Sequence, residues 1–208
     1  MPTAWPWSSP RANPPDPVTG SVTQAFLLTL GPDGALSGAP LGTTPAGDWP
    51  GGTCAAIGSF DGVHRGHQRV IENAIAAGRR LSAPTSVICF DPHPQSFFLA
   101  RSGQAVTPFR LMSLNQQMRA FSDLGVDYAF ILHFDETLSG LDAERFAGLI
   151  LRDHLRLRHV GCGFDFRFGV KGSGTADSLR VFGADMGFST TITPCQSDET
   201  GHKLSSSS

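Results

Sequence analysis

Residues Cys54-Ala-Ala-Ile-Gly-Ser-Phe-Asp-Gly-Val-His-Arg-Gly-His67 pass from a short apolar run, through a turn punctuated by glycine, into a stretch with helical spacing. In that stretch Val70, Ile71, Ala74, Ile75, Gly78 and Leu81 fall on one face at a 3.6-residue period. The passage reads as strand, tight turn and helix, the opening of a β-α-β unit. The same alternation continues downstream. Apolar runs recur at 85–90, 128–132, 159–162 and 189–193, and helical patterns separate them. One pattern opens with Ser113 and Gln116 at capping-box spacing and runs to Gly125. Another starts at Asp142 as N-cap and continues through Phe146, Leu149, Ile150 and Leu155. A last one extends from Thr175 through Leu179, Phe182 and Met186 to Gly187. Strands without polar alternation, separated by amphipathic helices, predict a parallel sheet covered on both faces. The expected fold class is α/β, a doubly wound, mostly parallel sheet.

Upstream of residue 53 the composition changes. Six of the 15 prolines lie within the first 20 residues, and residues 1–50 carry four charges, Arg11, Asp16, Asp33 and Asp48, with all three tryptophans. Proline removes a backbone donor and clashes with the preceding helical turn, so residues 1–20 are expected to be flexible. A short strand is expected over 26–30, ended by the turn Gly31-Pro32-Asp33-Gly34. Residues 21–208 then form one domain.

The 208 residues include 16 Lys and Arg against 18 Asp and Glu, a balance that excludes a strongly basic nucleic-acid binder. No apolar run approaches the roughly 18–20 residues that span a bilayer, and no basic segment followed by an apolar one marks a signal peptide. Cys54, Cys89, Cys162 and Cys195 form no CxxC pair. Three sit in or beside apolar runs, where a buried free thiol is expected. These features describe a cytoplasmic protein without membrane or nucleic-acid partners. They leave its oligomeric state open.

The turn after the first parallel strand carries the chemistry. Ligands of open α/β sheets bind at the carboxyl ends of strands, and a helix N-terminus with unpaired N–H groups favours phosphate. Gly62 and Gly66 let backbone approach a polyphosphate, while His64 and His67, three apart, reach the same side as donors to its oxygens. No Gly-Lys-Ser/Thr follows, so this is not a Walker loop. A zinc site would need a third ligand, which His93 would have to supply. Phe90-Asp-Pro-His-Pro94 places two prolines in an extended loop after the second parallel strand, where Phe90 could stack on a planar ring or simply be a buried turn residue. Asp165, Phe166 and Phe168 follow the fourth parallel strand in the same way. Arg152, Arg156 and Arg158 read as a solvated helix face, and His133, His154, His159 and His202 are unremarkable by position.

Together these segments resemble the HxGH nucleotidyltransferases, and more narrowly the adenylyltransferase domain of bacterial FAD synthetases. The likeness rests on His64-Arg-Gly-His67 with Phe90-Asp-Pro-His-Pro94, Leu124-Gly-Val-Asp127, Phe134-Asp135, Asp165-Phe-Arg-Phe-Gly169, Gly174-Thr-Ala-Asp-Ser-Leu179 and the terminal serines, and it spans about 22–207. It implies a Rossmann-like nucleotidyltransferase that moves AMP from MgATP to FMN, releasing pyrophosphate and forming FAD. It assigns His64 and His67 to catalysis, and Gly58, Phe60, Asp61, Gly62, His64, Gly66, His67, Ser205, Ser206 and Ser207 to ATP. It assigns Phe90, Asp165 and Phe168 to the flavin, with Mg²⁺ entering alongside ATP and no protein metal ligand assigned. Relatives usually carry a basic residue where this chain has Gln117, and many carry Arg where it reads Lys171-Gly-Ser-Gly174. Their serine motif continues into Arg-Ile-Arg, a helix and a riboflavin kinase barrel, whereas here Ser208 is the last residue. The expectation is an adenylyltransferase domain without the kinase, its turnover weakened by the lost tail. The rival expectations are a non-catalytic flavin- or nucleotide-binding remnant and a nucleotidyltransferase with another phosphorylated acceptor.

Overall fold

Period-two burial on both sides of the strands organises the computed structural model, which describes residues 22–42, 44, 48–103 and 111–195. The strands are β1 (Gln24–Leu30), β2 (Leu36–Leu41), β3 (Cys54–Ile57), β4 (Thr85–Asp91), β5 (Tyr128–His133), β6 (His159–Gly163), β7 (Arg167–Phe168), β8 (Gly174–Thr175) and β9 (Ser189–Thr193). The helices are α1 (Arg65–Leu81), α2 (Pro94–Arg101), α3 (Leu114–Asp123), α4 (Glu136–Ser139), α5 (Ala143–Arg145) and α6 (Ala176–Met186). Seven strands form one sheet in the order β2-β1-β5-β4-β3-β6-β9, and β7 pairs with β8 in a small hairpin. Every neighbouring pair in the large sheet is parallel except β1 with β2.

Along these strands alternate side chains enter two cores. Phe26, Leu28, Ile57, Ile88, Phe130, Leu132, Val160 and Cys162 pack toward α6 and the helical segment 143–154. Ala56, Val87, Cys89, Ala129 and Ile131 pack on the opposite face toward α1 and α3. Both faces are covered, so no strand needs a polar face. The doubly wound α/β reading stands.

The expected helix boundaries carry the physics that predicted them. Ser113 and Gln116 exchange side-chain and backbone hydrogen bonds in a complete capping box, and Thr175 and Ser178 do the same at α6. Asp142 caps its helix through the Arg145 N–H at 2.7 Å. Gly187 ends α6 with φ 90°.

Four local expectations change. The first strand starts at Gln24, and its turn leads into β2, an exposed edge strand with no apolar alternation to reveal it. The helix that Asp142 caps continues as a π-helix over Phe146–His154, wider than the 3.6-residue period implies. Pro94 is the first residue of α2, not the end of an extended loop, and the His93 side chain caps that helix through the Gln95 N–H. Finally, all three arginines are exposed as expected, but only Arg152 lies on the helix, paired with Asp153, while Arg156 and Arg158 follow its end. Arg158 donates to the Leu81 carbonyl at 2.8 Å, and the Arg156 guanidinium lies over Gly51. Residues 1–20 and the terminal tail lie outside the described residues.

One glycine lets the β7–β8 hairpin sit against the start of α5. Gly169 has φ 71°, and a Cβ there would stand 2.6 Å from the Ala143 backbone nitrogen at the start of α5. Gly169→Ala combines a positive-φ extended backbone (φ 71°, ψ 171°) that only glycine adopts readily, roughly 1–3 kcal/mol, with overpacking of about 1–3 kcal/mol. A destabilisation of about 2–6 kcal/mol is expected in urea unfolding. A midpoint equal to that of the parent would refute this close approach.

Candidate active site

Because α1 and α6 follow β3 and β6 on opposite faces of the sheet, a crevice opens between the carboxyl ends of these adjacent strands. The loop 58–64 leaves β3 on one side of this crevice, and the loop 164–166 leaves β6 on the other. Phe60, Gly62 and Val63 all have positive φ, at 49°, 80° and 36°. Left-handed backbone at two non-glycine residues stores of order 1–3 kcal/mol each, a strain found where surrounding structure fixes a functional loop.

His64 is the N-cap of α1, a 17-residue helix with no acidic residue in its first turn. Its Nδ1 accepts the Gly66 N–H at 3.2 Å, so this nitrogen carries no proton and the ring's N–H is at Nε2. Gly66 permits the arrangement, because a Cβ there would press on the His64 ring at 3.1 Å. One helical turn on, the His67 ring stacks on His64 with centroids 3.8 Å apart and planes 22° from parallel. It also meets Phe60 edge-on at 5.4 Å. Burial, reinforced by the neighbouring His64, pushes the His67 pKa down to about 4, while Asp165 and Asp61 pull against that shift. His67 is therefore neutral at pH 7. Among the described residues its Nδ1 is buried without a hydrogen-bond partner. A buried lone pair is less costly than a buried unsatisfied N–H, so the proton belongs on Nε2 here as well. The two rings form a pair of Nε2–H donors at a helix N-terminus.

The other expected contacts divide. Phe60 is buried between His67 and Phe121, so its ring is not available to a ligand. Asp61 is occupied: its carboxylate accepts the Leu111 N–H at 2.9 and 3.0 Å and the Met112 N–H at 3.1 Å. Gly58 lies against the Phe60 ring. Asp165 is exposed and close enough to His67 to act on its charge, so the DFRFG loop does reach the histidines. Phe168, by contrast, is buried. It stacks on Phe166 at 5.4 Å and packs against Phe146 at 5.7 Å, and Gly174 closes over it. Its ring presents little surface to a ligand, and the exposed ring of that loop is Phe164. Phe90 is half-buried with its ring edge-on to Phe134 at 5.9 Å. Phe97 and Phe98 also contact Phe134, and Phe98 remains 52% exposed. Ser205, Ser206 and Ser207 lie outside the described residues. His93 is engaged in capping α2, and among the described residues no cluster of three or more His, Cys, Asp or Glu side chains assembles for a metal.

Two features of the site, and one buried histidine remote from it, escaped the sequence reading. Phe97 and Phe98, which gather on Phe134, were hidden because α2 buries none of its residues and gives no periodic signal. His159 is 1% exposed, bonds Ser189 through Nδ1 at 2.8 Å, and has no partner for Nε2 among the described residues. Gln117, noted only as a departure in residue type, donates its side-chain amide to the Ser59 and Phe60 carbonyls at 3.1 and 3.0 Å.

The model of the FAD synthetase family matches residues 48–208, which include both loops of the crevice. The chain belongs to the FAD synthetase family. It is 35% identical over 142 residues to the bifunctional riboflavin kinase/FMN adenylyltransferase of Escherichia coli K12, covering 68% of this chain and 44% of that protein. The Pseudomonas fluorescens protein of the same name is 37% identical over 137 residues, 66% of this chain and 42% of its own length. This FAD synthetase family member thus spans less than half the length of these curated relatives. A solved structure described as a macrolide-efflux protein from Streptococcus pneumoniae superposes with a TM-score of 0.64 at 26% identity, over 76% of this chain and 51% of that one. Among the described residues no helix is long and apolar enough to cross a membrane.

Proposed function

We propose that this chain is an FMN adenylyltransferase, forming FAD from FMN and MgATP. An oxygen of the FMN phosphate attacks the α-phosphorus of ATP in line. A new P–O bond forms, the bond to the bridging oxygen breaks, and pyrophosphate leaves. No protein nucleophile takes part. The chain's contribution is placement and electrostatic stabilisation, which suit phosphate transfer between small molecules.

The observation that carries this reading is the stacked His64–His67 pair at the N-terminus of α1. Two Nε2–H donors on a helix dipole stabilise charge gathering on phosphate oxygens. The left-handed backbone of Phe60–Val63 brings peptide groups to the same place, and Gly58 lets Phe60 pack beneath it. Mg²⁺ arrives with the nucleotide and offsets the charge of the leaving pyrophosphate. In this reading the flavin lies on the aromatic side, against Phe90 and the exposed Phe98 and Phe164 rings, with Asp165 between flavin and histidines. Phe168 supports that loop from beneath.

Incubation of the purified chain with FMN and MgATP is expected to give FAD and pyrophosphate in equal amounts. Replacing FMN by phosphopantetheine or glycerol 3-phosphate is expected to give no adenylylated product. Tight flavin and ATP binding with no FAD would favour a binding protein instead, and preference for another acceptor would reassign the substrate.

A further inference from the structure

The phosphate-facing loop is sewn to α3 by two opposite kinds of bond. From the helix, the Gln117 side-chain nitrogen donates to two successive carbonyls, Ser59 O and Phe60 O. From the loop, the Asp61 carboxylate accepts the Leu111 and Met112 N–H groups immediately before the α3 cap. Gln117 is 6% exposed, so water does not readily replace its amide at these carbonyls. It stands in the first turn of α3, where side chains lean back toward the helix N-terminus and hence toward the loop.

Peptide planarity turns this attachment into a direction. In a trans peptide the N–H points opposite to the C=O. The peptide bearing Ser59 O also bears the Phe60 N–H, and the peptide bearing Phe60 O bears the Asp61 N–H. With both carbonyls drawn to one Gln117 nitrogen, both N–H groups face away from α3. Phe60 between them has φ 49°, the left-handed conformation in which consecutive N–H groups form an anion-binding nest. Among the described residues neither N–H has an acceptor.

We propose that Gln117 is a positioning residue of the phosphate site: it holds the Ser59 and Phe60 carbonyls so that the Phe60 and Asp61 N–H groups are presented to the nucleotide's phosphates beside His64 and His67. This rests on the adenylyltransferase reading for the identity of the anion. It does not need that reading for the geometry. A glutamine serves because one side-chain nitrogen offers two N–H donors to the two carbonyls. Its isosteric apolar counterpart, methionine, removes the donors and releases the loop.

The test compares the parent chain with Gln117→Met and Gln117→Lys. ATP binding is measured by calorimetry without FMN, FAD formation is measured under steady-state conditions, and thermal melting reports the fold. Gln117→Met is expected to weaken ATP binding and raise the ATP KM about 10-fold or more, with a smaller change in kcat. Gln117→Lys, which restores donors to the two carbonyls, is expected to recover most of the affinity. Unchanged ATP affinity in a folded Gln117→Met protein would overturn the proposal. So would a lower melting temperature with normal ATP affinity, because that marks a purely structural role. Should Gln117→Met fail to fold, Gln117→Glu decides: it keeps shape but aims a carboxylate at two carbonyls, and parent-like ATP affinity in it would also overturn the assignment. If the parent chain binds ATP but makes no FAD, the adenylyltransferase reading fails while the binding comparison still judges Gln117.

Discussion

Replacing His67 by alanine is expected to lower FAD formation by about 10²–10³ while leaving the chain folded. The magnitude is that of removing one preorganised donor from a site of developing negative charge. The selectivity for rate over stability follows from its surroundings. His67 is only half-buried, and its Nδ1 makes no hydrogen bond among the described residues that the substitution would break. Phe60, its edge-on neighbour, keeps its packing against Phe121. His64 differs in this respect, since its Nδ1 caps α1. His64→Ala is therefore expected to lose the rate and also about 1 kcal/mol of stability, a typical cap contribution. His67→Gln retains an N–H donor of similar reach and should recover part of the lost rate. Rapid-quench measurement with saturating FMN and MgATP, beside thermal melting of each variant, separates the two effects. A folded His67→Ala protein with the parent rate would remove His67 from the chemistry.

That histidine was legible in the sequence because a strand, two glycines and a helix fix where it must lie, whatever the rest of the chain does. The parallel strands were legible for a similar reason. Burial on both faces demands continuous apolar runs, and β3, β4, β5 and β6 supply them. What escaped lacks that compulsion. The edge strand β2 reads Leu-Ser-Gly-Ala-Pro-Leu, pairs on one side only and leaves most of its residues exposed. The short helix α2 is held by aromatic edges and by the exposed Arg101–Glu136 pair, not by an apolar stripe. Inside the DFRFG loop, local alternation could not tell which phenylalanine turns inward. The pairing of β7 with β8, and Gly174 above the ring, send Phe168 to the core. Gln117 illustrates the limit best. Its partners Ser59 and Phe60 lie more than fifty residues away in sequence, and no local pattern connects an amide on one helix to two carbonyls on another element's loop.

Acidification from pH 6.5 to 4.5 is expected to destabilise the protein well beyond the loss of activity, and His159 is the principal reason. It begins β6 at the amino end of the strand, far from the crevice, between Cys54 on β3 and Ser189 on β9. Burial, aided by the Arg80 charge, pushes its pKa down to about 4 from the ordinary 6.5. The folded protein thus keeps the ring neutral over a range in which the unfolded chain takes up a proton. Stability from this group is complete above pH 6.5. It falls as pH drops below 6.5, where the unfolded state gains its proton, and levels off below about 4, where both states hold one. At about 1.4 kcal/mol per pH unit, the full span amounts to roughly 3 kcal/mol, a large share of an ordinary domain's stability. His67 adds a smaller term of the same sign, since its ring is partly open to water. The substitution His159→Gln removes the titration while leaving a side chain able to bond Ser189. Urea unfolding at pH 7.5, 6.5, 5.5 and 4.5 should show the parent losing stability steeply across the lower three values. The variant should lose about 2 kcal/mol less over the same interval. Parallel stability curves for the two proteins would mean that His159 accepts its proton in the fold as readily as in the open chain, and the buried, half-satisfied ring would then have no part in acid unfolding.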